Sequence, residues 1–176
     1  MNLASRLEIR PMDVADVDHV MEIAASLASA PQWPHQVYMD ALDPHSTPLR
    51  IALVAAHPQR ELSSAEQAAP DSLPTEIYGF AVASLLAPQA ELEVIAVRGQ
   101  SQRQGLGQCL LTDLVDRLKR SGIAEVLLEV RASNDAAIGL YLRFGFKQSG
   151  VRTRYYADPV EDAVMMAMQL SDSLGA

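Results

Sequence analysis

A chain of 176 residues, 49% of them hydrophobic, is long enough for one domain with a substantial core. Charged residues make up 20%, too few for a disordered chain, and a net charge of -8 is the wrong sign for nonspecific nucleic-acid binding but suits a cationic substrate such as a protonated amine. One cysteine, Cys109, allows no internal disulfide, the start MNLASRLEIRPMD lacks a signal-peptide core, and no run nears the roughly 18–20 apolar residues of a membrane span, so the expectation is a cytoplasmic protein with neither nucleic-acid nor membrane partners.

Residues 5–11 alternate polar and apolar, as a first strand would. Asp13 stands where it can cap a helix over 14–29, with Val17, Val20, Ile23, Ala24 and Leu27 at helical spacing. Residues 30–48 carry four prolines and one short helical piece near 35–42, and 50–56 read as a strand. Residues 57–75, with three prolines and little periodicity, read as a flexible excursion between two strands of a single domain spanning 1–176. Strands are expected at 76–86 and 90–97, a helix at 105–121, a strand at 125–130, a helix at 134–144, and strands at 145–152 and 162–170. That order is a mixed α/β pattern around one sheet.

The sharpest local motif is Gln102-Arg103-Gln104-Gly105-Leu106-Gly107, between the apolar strand ending at Val97 and a helix carrying Leu106, Leu110, Leu114 and Leu118. A glycine turn at a helix start makes an anion site, because free backbone N–H groups and the helix dipole point at the same place. Glycines there also remove the Cβ atoms that would hold a pyrophosphate off. Arg98 and Arg103 are in this stretch, and no acid occurs from 98 to 104. An ordinary helix start with glycines easing packing reads equally well from the turn alone. A P-loop requires Gly-Lys-Ser/Thr where Gln108-Cys109 stand, and a dinucleotide fingerprint requires a third glycine where Leu110 stands.

Glu129 lies late in its strand, a usual place for catalytic groups of α/β sheets; Arg131, two residues on and on the same face, gives the alternative reading of a structural ion pair. Tyr141 follows by twelve residues and is flanked by Ile138, Leu142 and Phe144, as a core tyrosine would be. Asn134 is a natural cap for the same helix. Tyr155-Tyr156 read as paired aromatics of a strand, and Met165, Met166 and Met168 as core. Cys109 sits inside a helix far in sequence from His19, His35, His45 and His57, which argues against a thiol mechanism, and the histidines lack metal-ligand spacing. Trp33 either lines a groove or packs on the surface.

The pattern [Q/R]-x-x-G-x-[G/A] after a strand resembles the acetyl-CoA loop of the GNAT acetyltransferases. Ile95-Ala96-Val97, Gln102 through Gly107, Leu128-Glu129-Val130-Arg131-Ala132-Ser133-Asn134, Leu140-Tyr141 through Gly145-Phe146, Tyr155-Tyr156 and Glu161-Asp162-Ala163 occur in that family's order. The set is most similar to the bacterial branch that acetylates ribosomal proteins at an N-terminal alanine. It covers about 76–170 and is most specific over 101–146, while 1–75 match only loosely.

The resemblance implies a single-domain GNAT fold: a mixed, mostly antiparallel sheet with splayed central strands and flanking helices. It implies acetyl-CoA as co-substrate and no metal. The backbone of Ile95, Ala96 and Val97 would hold the pantetheine and acetyl carbonyl. Arg103, Gln104, Gly105, Leu106, Gly107 and Gln108 would hold the pyrophosphate, and Asn134 would reach the CoA arm. Glu129 would be the general base, Tyr141 the general acid, and Tyr155 and Tyr156 the acceptor side. The implied acceptor is the N-terminal amine of a protein, a ribosomal protein beginning with alanine. An α-amine of pKa ~8 is cheaper to deprotonate at neutral pH than a lysine of ~10.4, by roughly 3 kcal/mol. The alternatives are a GNAT enzyme acting on a small amine or lysine, and a non-catalytic acyl-CoA-binding sensor.

Overall fold

Pairing partners decide where the first strand begins. In the computed structural model, which describes residues 3–58 and 76–170, β1 (Glu8–Pro11) pairs antiparallel with the end of β2 (Leu49–Ala56), from Glu8↔Ala56 to Pro11↔Leu53. Ala56 is the last residue of β2, so nothing remains to pair residues 5–7, and Leu3–Arg6 form a 3-10 turn instead of the expected strand start. The Asp13 carboxylate accepts the Ala15 N–H (2.8 Å) and the Asp16 carboxylate accepts the Asp13 N–H (3.0 Å), which opens a 3-10 turn, Val14–Asp16, leading into α1 (Val17–Ala25). The helix ends before the expected residue 29, where the Ser26 hydroxyl donates to the Ile23 carbonyl at 2.7 Å. α2 (His35–Leu42) stands where its spacing places it. Most of the expected excursion at 57–75 lies outside the described residues.

The remaining elements are β3 (Ile77–Leu86), β4 (Gln89–Val97), α3 (Leu106–Arg120), β5 (Glu125–Arg131), α4 (Asp135–Phe144), β6 (Lys147–Ala157) and β7 (Val160–Gln169). Gly145, at φ 115, ends α4, and the Phe146 N–H returns to the Tyr141 carbonyl, so β6 starts two residues later than expected. Among the described residues the sheet has seven strands in the order β1-β2-β3-β4-β5-β7-β6, and β4–β5 is its parallel pair. This is the mixed, mostly antiparallel α/β sheet that the resemblance implies.

Each face of the sheet carries its own core. On one, Leu106, Leu110, Leu111, Leu114 and Leu118 of α3 pack on Leu92, Val126, Leu128, Phe146 and Met166. On the other, Val17, Val20 and Ile23 of α1 and Tyr38 of α2 pack on Val54, Phe80, Val82 and Val94. Truncating a fully buried leucine such as Leu114 to alanine costs roughly 2–5 kcal/mol.

β4 supplies both cores. Ala90 and Leu92 face α3, whereas Val94 and Ala96 face α1 and α2, although residues two apart share a face in a regular strand. A β-bulge makes the switch: Val82 pairs with Val94 and Ala83 with Leu92, leaving Glu93 as the additional residue. Arg50 holds Glu93 in a two-point fork of 2.8 and 3.2 Å.

Candidate active site

β4 and β5 pair only from Gln89↔Glu125 to Leu92↔Leu128. Beyond the bulge β4 follows β3 to Val97, while β5 follows β7 to Arg131, so the two central strands part. The Arg98 N–H donates to the Tyr78 carbonyl at 2.8 Å, and strand alternation then turns the backbone of Ile95 and Val97 toward the gap. Ala96 faces the other way: its carbonyl lies 2.7 Å from where a Cβ on Gly79 would stand, so its backbone belongs to the β3 pairing. Three successive amides at the gap, as expected for 95–97, are therefore reduced to two, because an alternating strand cannot aim three in a row.

The glycine turn joins this gap to α3. The Gln102 carboxamide donates to the Val97 carbonyl at 3.0 Å, which ties the turn to the strand end. Arg103 (φ 59) and Gly105 (φ 84) are both left-handed, and Gly105 is the helix N-cap. The Cys109 N–H makes the first return bond, to the Gly105 carbonyl at 3.0 Å, so the N–H groups of Leu106, Gly107 and Gln108 precede the helix ladder. No acid occupies the first turn. A Cβ on Gly107 would lie 3.2 Å from Leu140, so this glycine also lets α4 approach α3. The site thus offers an anion a cradle of N–H groups at a 15-residue helix start, beside a slot between strands.

Glu129 stands on β5 where the gap has opened, its side chain 17% exposed. Its partner is Arg152 of β6, Nε to Oε1 3.0 Å, rather than the neighbouring Arg131. Arg131 instead binds Glu161 at 3.1 Å, donates to the Asp158 carbonyl at 3.0 Å, and covers the Tyr156 ring at 4.1 Å. Glu161 also accepts the Ser133 N–H at 2.6 Å; these bonds, with Ser133 foremost, hold its carboxyl below the usual carboxylate range. Glu91 of β4 shares the neighbourhood. Shielding of its carboxyl from water, then the charges of Glu129 and Glu93, push its pKa up against the pull of Arg152.

The tyrosines complete the arrangement. The Arg152 guanidinium lies 5.4 Å from the ring of the exposed Tyr155, and the neighbouring Glu129 carboxylate foremost raises the Tyr155 pKa. Tyr156 meets Tyr155 edge-on at 5.2 Å, and burial followed by the Glu129 charge raises its pKa. Tyr141 of α4 is 6% exposed, packs on Phe146 at 5.6 Å, and has its pKa raised strongly by burial and then by Tyr156. Asn134 caps α4 through the Ala137 N–H (3.1 Å), which uses its Oδ1 and leaves its NH2 group to donate.

Other expected residues lie elsewhere. Trp33 packs on Tyr38 (5.4 Å), which meets Phe80 (6.2 Å), so Trp33 covers the second core. Met166 is buried as expected, with Met165 and Met168 partly so. Cys109 lines a cleft of about 430 Å³ with Gly105, Gln108, Thr112 and Asp113, which contains neither Glu129 nor Tyr141. Among the described residues no group of three His, Cys, Asp or Glu is placed to hold a metal, and no helix is long and apolar enough to cross a membrane. Sequence reasoning missed Gly79, Glu91 and Arg152. A tight glycine opposite Val97 and a basic residue before Tyr155-Tyr156 were the available signals.

Residues 25–146 match the model of the Acetyltransferase (GNAT) family. The ribosomal protein bS18-alanine N-acetyltransferase of Escherichia coli K12 is 47% identical over 98 residues, which span 54% of this chain and 66% of that enzyme. The match thus covers just under two thirds of that relative's length. A Bacillus subtilis protein provisionally given the same name is 27% identical over 97% of this chain and all of its own. The crystal structure of the E. coli ribosomal-protein alanine N-acetyltransferase superposes with a TM-score of 0.72 at 28% identity, covering 97% of this chain and 99% of that one.

Proposed function

Since the chain belongs to the GNAT acetyltransferase family, we propose that it transfers acetyl from acetyl-CoA to the N-terminal amine of a protein, a ribosomal protein beginning with alanine. One observation carries the reading: the strands part beside an anion-binding helix start, and Glu129 stands on the opened edge. Its similarity to ribosomal-protein alanine N-acetyltransferases supports the acceptor.

The residues present fit acetyl-CoA. The N–H groups of Leu106, Gly107 and Gln108 receive the pyrophosphate, with Arg103 and Gln104 flanking it. The gap-facing backbone of Ile95 and Val97 holds the pantetheine and polarises the thioester carbonyl, and the free NH2 of Asn134 donates to the arm. Acetyl-CoA supplies the activated acyl group.

An α-ammonium arriving at Glu129 replaces the Arg152 guanidinium on the carboxylate. Glu129 then takes a proton from the amine through water, leaving a neutral nucleophile. Tyr155 and Tyr156 flank the peptide and hold that carboxylate's surroundings. Tyr141, buried and kept protonated, yields its proton to the sulfur of pKa ~8.5 only as the thiolate departs. The net charge of -8 draws a basic protein in through an attraction that salt weakens. A panel of N-terminal peptides and small amines assayed with acetyl-CoA tests the reading. Preference for an Ala-starting peptide supports it, and faster turnover of polyamines overturns it.

A further inference from the structure

The hairpin of β6 and β7 contains a second irregularity. Arg152 pairs with Ala163 and Tyr156 with Glu161, so residues 153–155 stand opposite Asp162 alone. In an unbroken strand neighbours point to opposite faces. Tyr155 and Tyr156 nonetheless engage one face of β5: Tyr155 lies 5.4 Å under Arg152, the partner of Glu129, and Tyr156 lies 4.1 Å under Arg131, two residues along the same strand from Glu129. The chain achieves this at Arg154, whose φ of 53 is left-handed, a conformation a residue with a Cβ adopts only when held. The Asp162 carboxylate holds it, accepting the Arg154 N–H at 2.7 Å. The Asp162 carbonyl at the same time accepts the Ala132 N–H at 3.0 Å, which ties this point to the β5–α4 connection.

We propose that Asp162 is a positioning residue for the acceptor site: its carboxylate holds the Arg154 bulge in the shape that turns Tyr155 and Tyr156 together toward Glu129 and Arg131. Asp162 touches no reacting atom. Its effect passes through the two tyrosines, so it sets how well the peptide binds rather than how acetyl-CoA binds. The role rests on the acetyltransferase reading above.

The full chain is assayed with acetyl-CoA and an Ala-starting peptide. Asp162→Ala is expected to raise the peptide KM about tenfold while acetyl-CoA affinity, by calorimetry, stays unchanged. Asp162→Asn keeps an oxygen for the Arg154 N–H and is expected within about threefold of wild type. The deciding variant combines Asp162→Ala with Arg154→Gly: glycine takes a positive φ unaided, so the KM should return to within about threefold of wild type. A double variant as impaired as Asp162→Ala overturns the proposal, and so does an Asp162→Ala protein with wild-type KM. If Asp162→Ala does not fold, the double variant alone decides, because it must fold and turn over. A wild-type chain that acetylates no amine overturns the acetyltransferase reading, whereas an active wild type with unsplit variants overturns only the role of Asp162.

Discussion

Arg152 Nε lies 3.0 Å from Glu129 Oε1, and the arginine is half exposed while the glutamate is mostly covered. A pair open to solvent on one side contributes little to stability, about 0–1 kcal/mol. The two partners should therefore separate on substitution. Glu129→Gln should slow turnover by about 10² or more with acetyl-CoA affinity kept, and the defect should shrink at high pH, where the amine is already neutral. Arg152→Ala should shift the unfolding free energy by less than about 1 kcal/mol. Steady-state kinetics and denaturant unfolding check both. Equal losses of stability with near-normal rates would return Glu129 to a structural ion pair.

The turn before α3 gives two substitutions of opposite consequence. Gln108→Glu adds a carboxylate to the first turn, where the helix dipole favours it by about 0.3–1 kcal/mol, yet the same charge repels a pyrophosphate. The protein should melt no lower and bind acetyl-CoA more weakly. Gly107→Glu should abolish binding outright. Calorimetry showing unchanged affinity in folded variants contradicts the assignment of this turn.

Gly79 lets β3 approach β4 at the mouth of the gap. A Cβ there meets the Ala96 carbonyl at 2.7 Å, and a backbone atom cannot swing aside as a side chain does. Gly79→Ala should cost about 1–3 kcal/mol as an overpacked site and displace the Ile95–Val97 edge. Thermal unfolding and acetyl-CoA titration measure the two effects, and a variant normal in both refutes the tight approach.

Burial first, then Tyr156, raises the Tyr141 pKa beyond the ordinary phenol value. The group must be protonated to act as an acid, so a raised pKa extends its working range upward. The rate should climb toward pH ~8 as the amine loses its proton, and should not fall near pH ~10, where an ordinary tyrosine ionises. A descending limb at or below ~10 that disappears in Tyr141→Phe contradicts the assignment.

The succession of strands and helices along the chain and the glycine turn were legible because local periodicity and turn chemistry encode them. The parting of the strands was implied by the family resemblance but not by periodicity. In a regular strand Ala90, Leu92, Val94 and Ala96 would share one face, and only the pairing with Val82 and Ala83 reveals that Glu93 divides them between two cores. The partner of Glu129 was also hidden. Spacing on one strand points to Arg131, but Arg131 is taken by Glu161, thirty residues on, and Arg152 arrives on another strand. Trp33 could not be placed from its proline-rich context, since its packing depends on Tyr38 and Phe80 from two different elements.

The central claim is that the acceptor is an α-amine. Mass spectrometry can compare an Ala-starting ribosomal peptide with the same peptide carrying a blocked N-terminus and one internal lysine. At neutral pH the lysine costs roughly 3 kcal/mol more to deprotonate, about a hundredfold in neutral amine. The account predicts rapid acetylation of the free N-terminus and little of the blocked peptide. Equal or faster modification of the blocked peptide would contradict it.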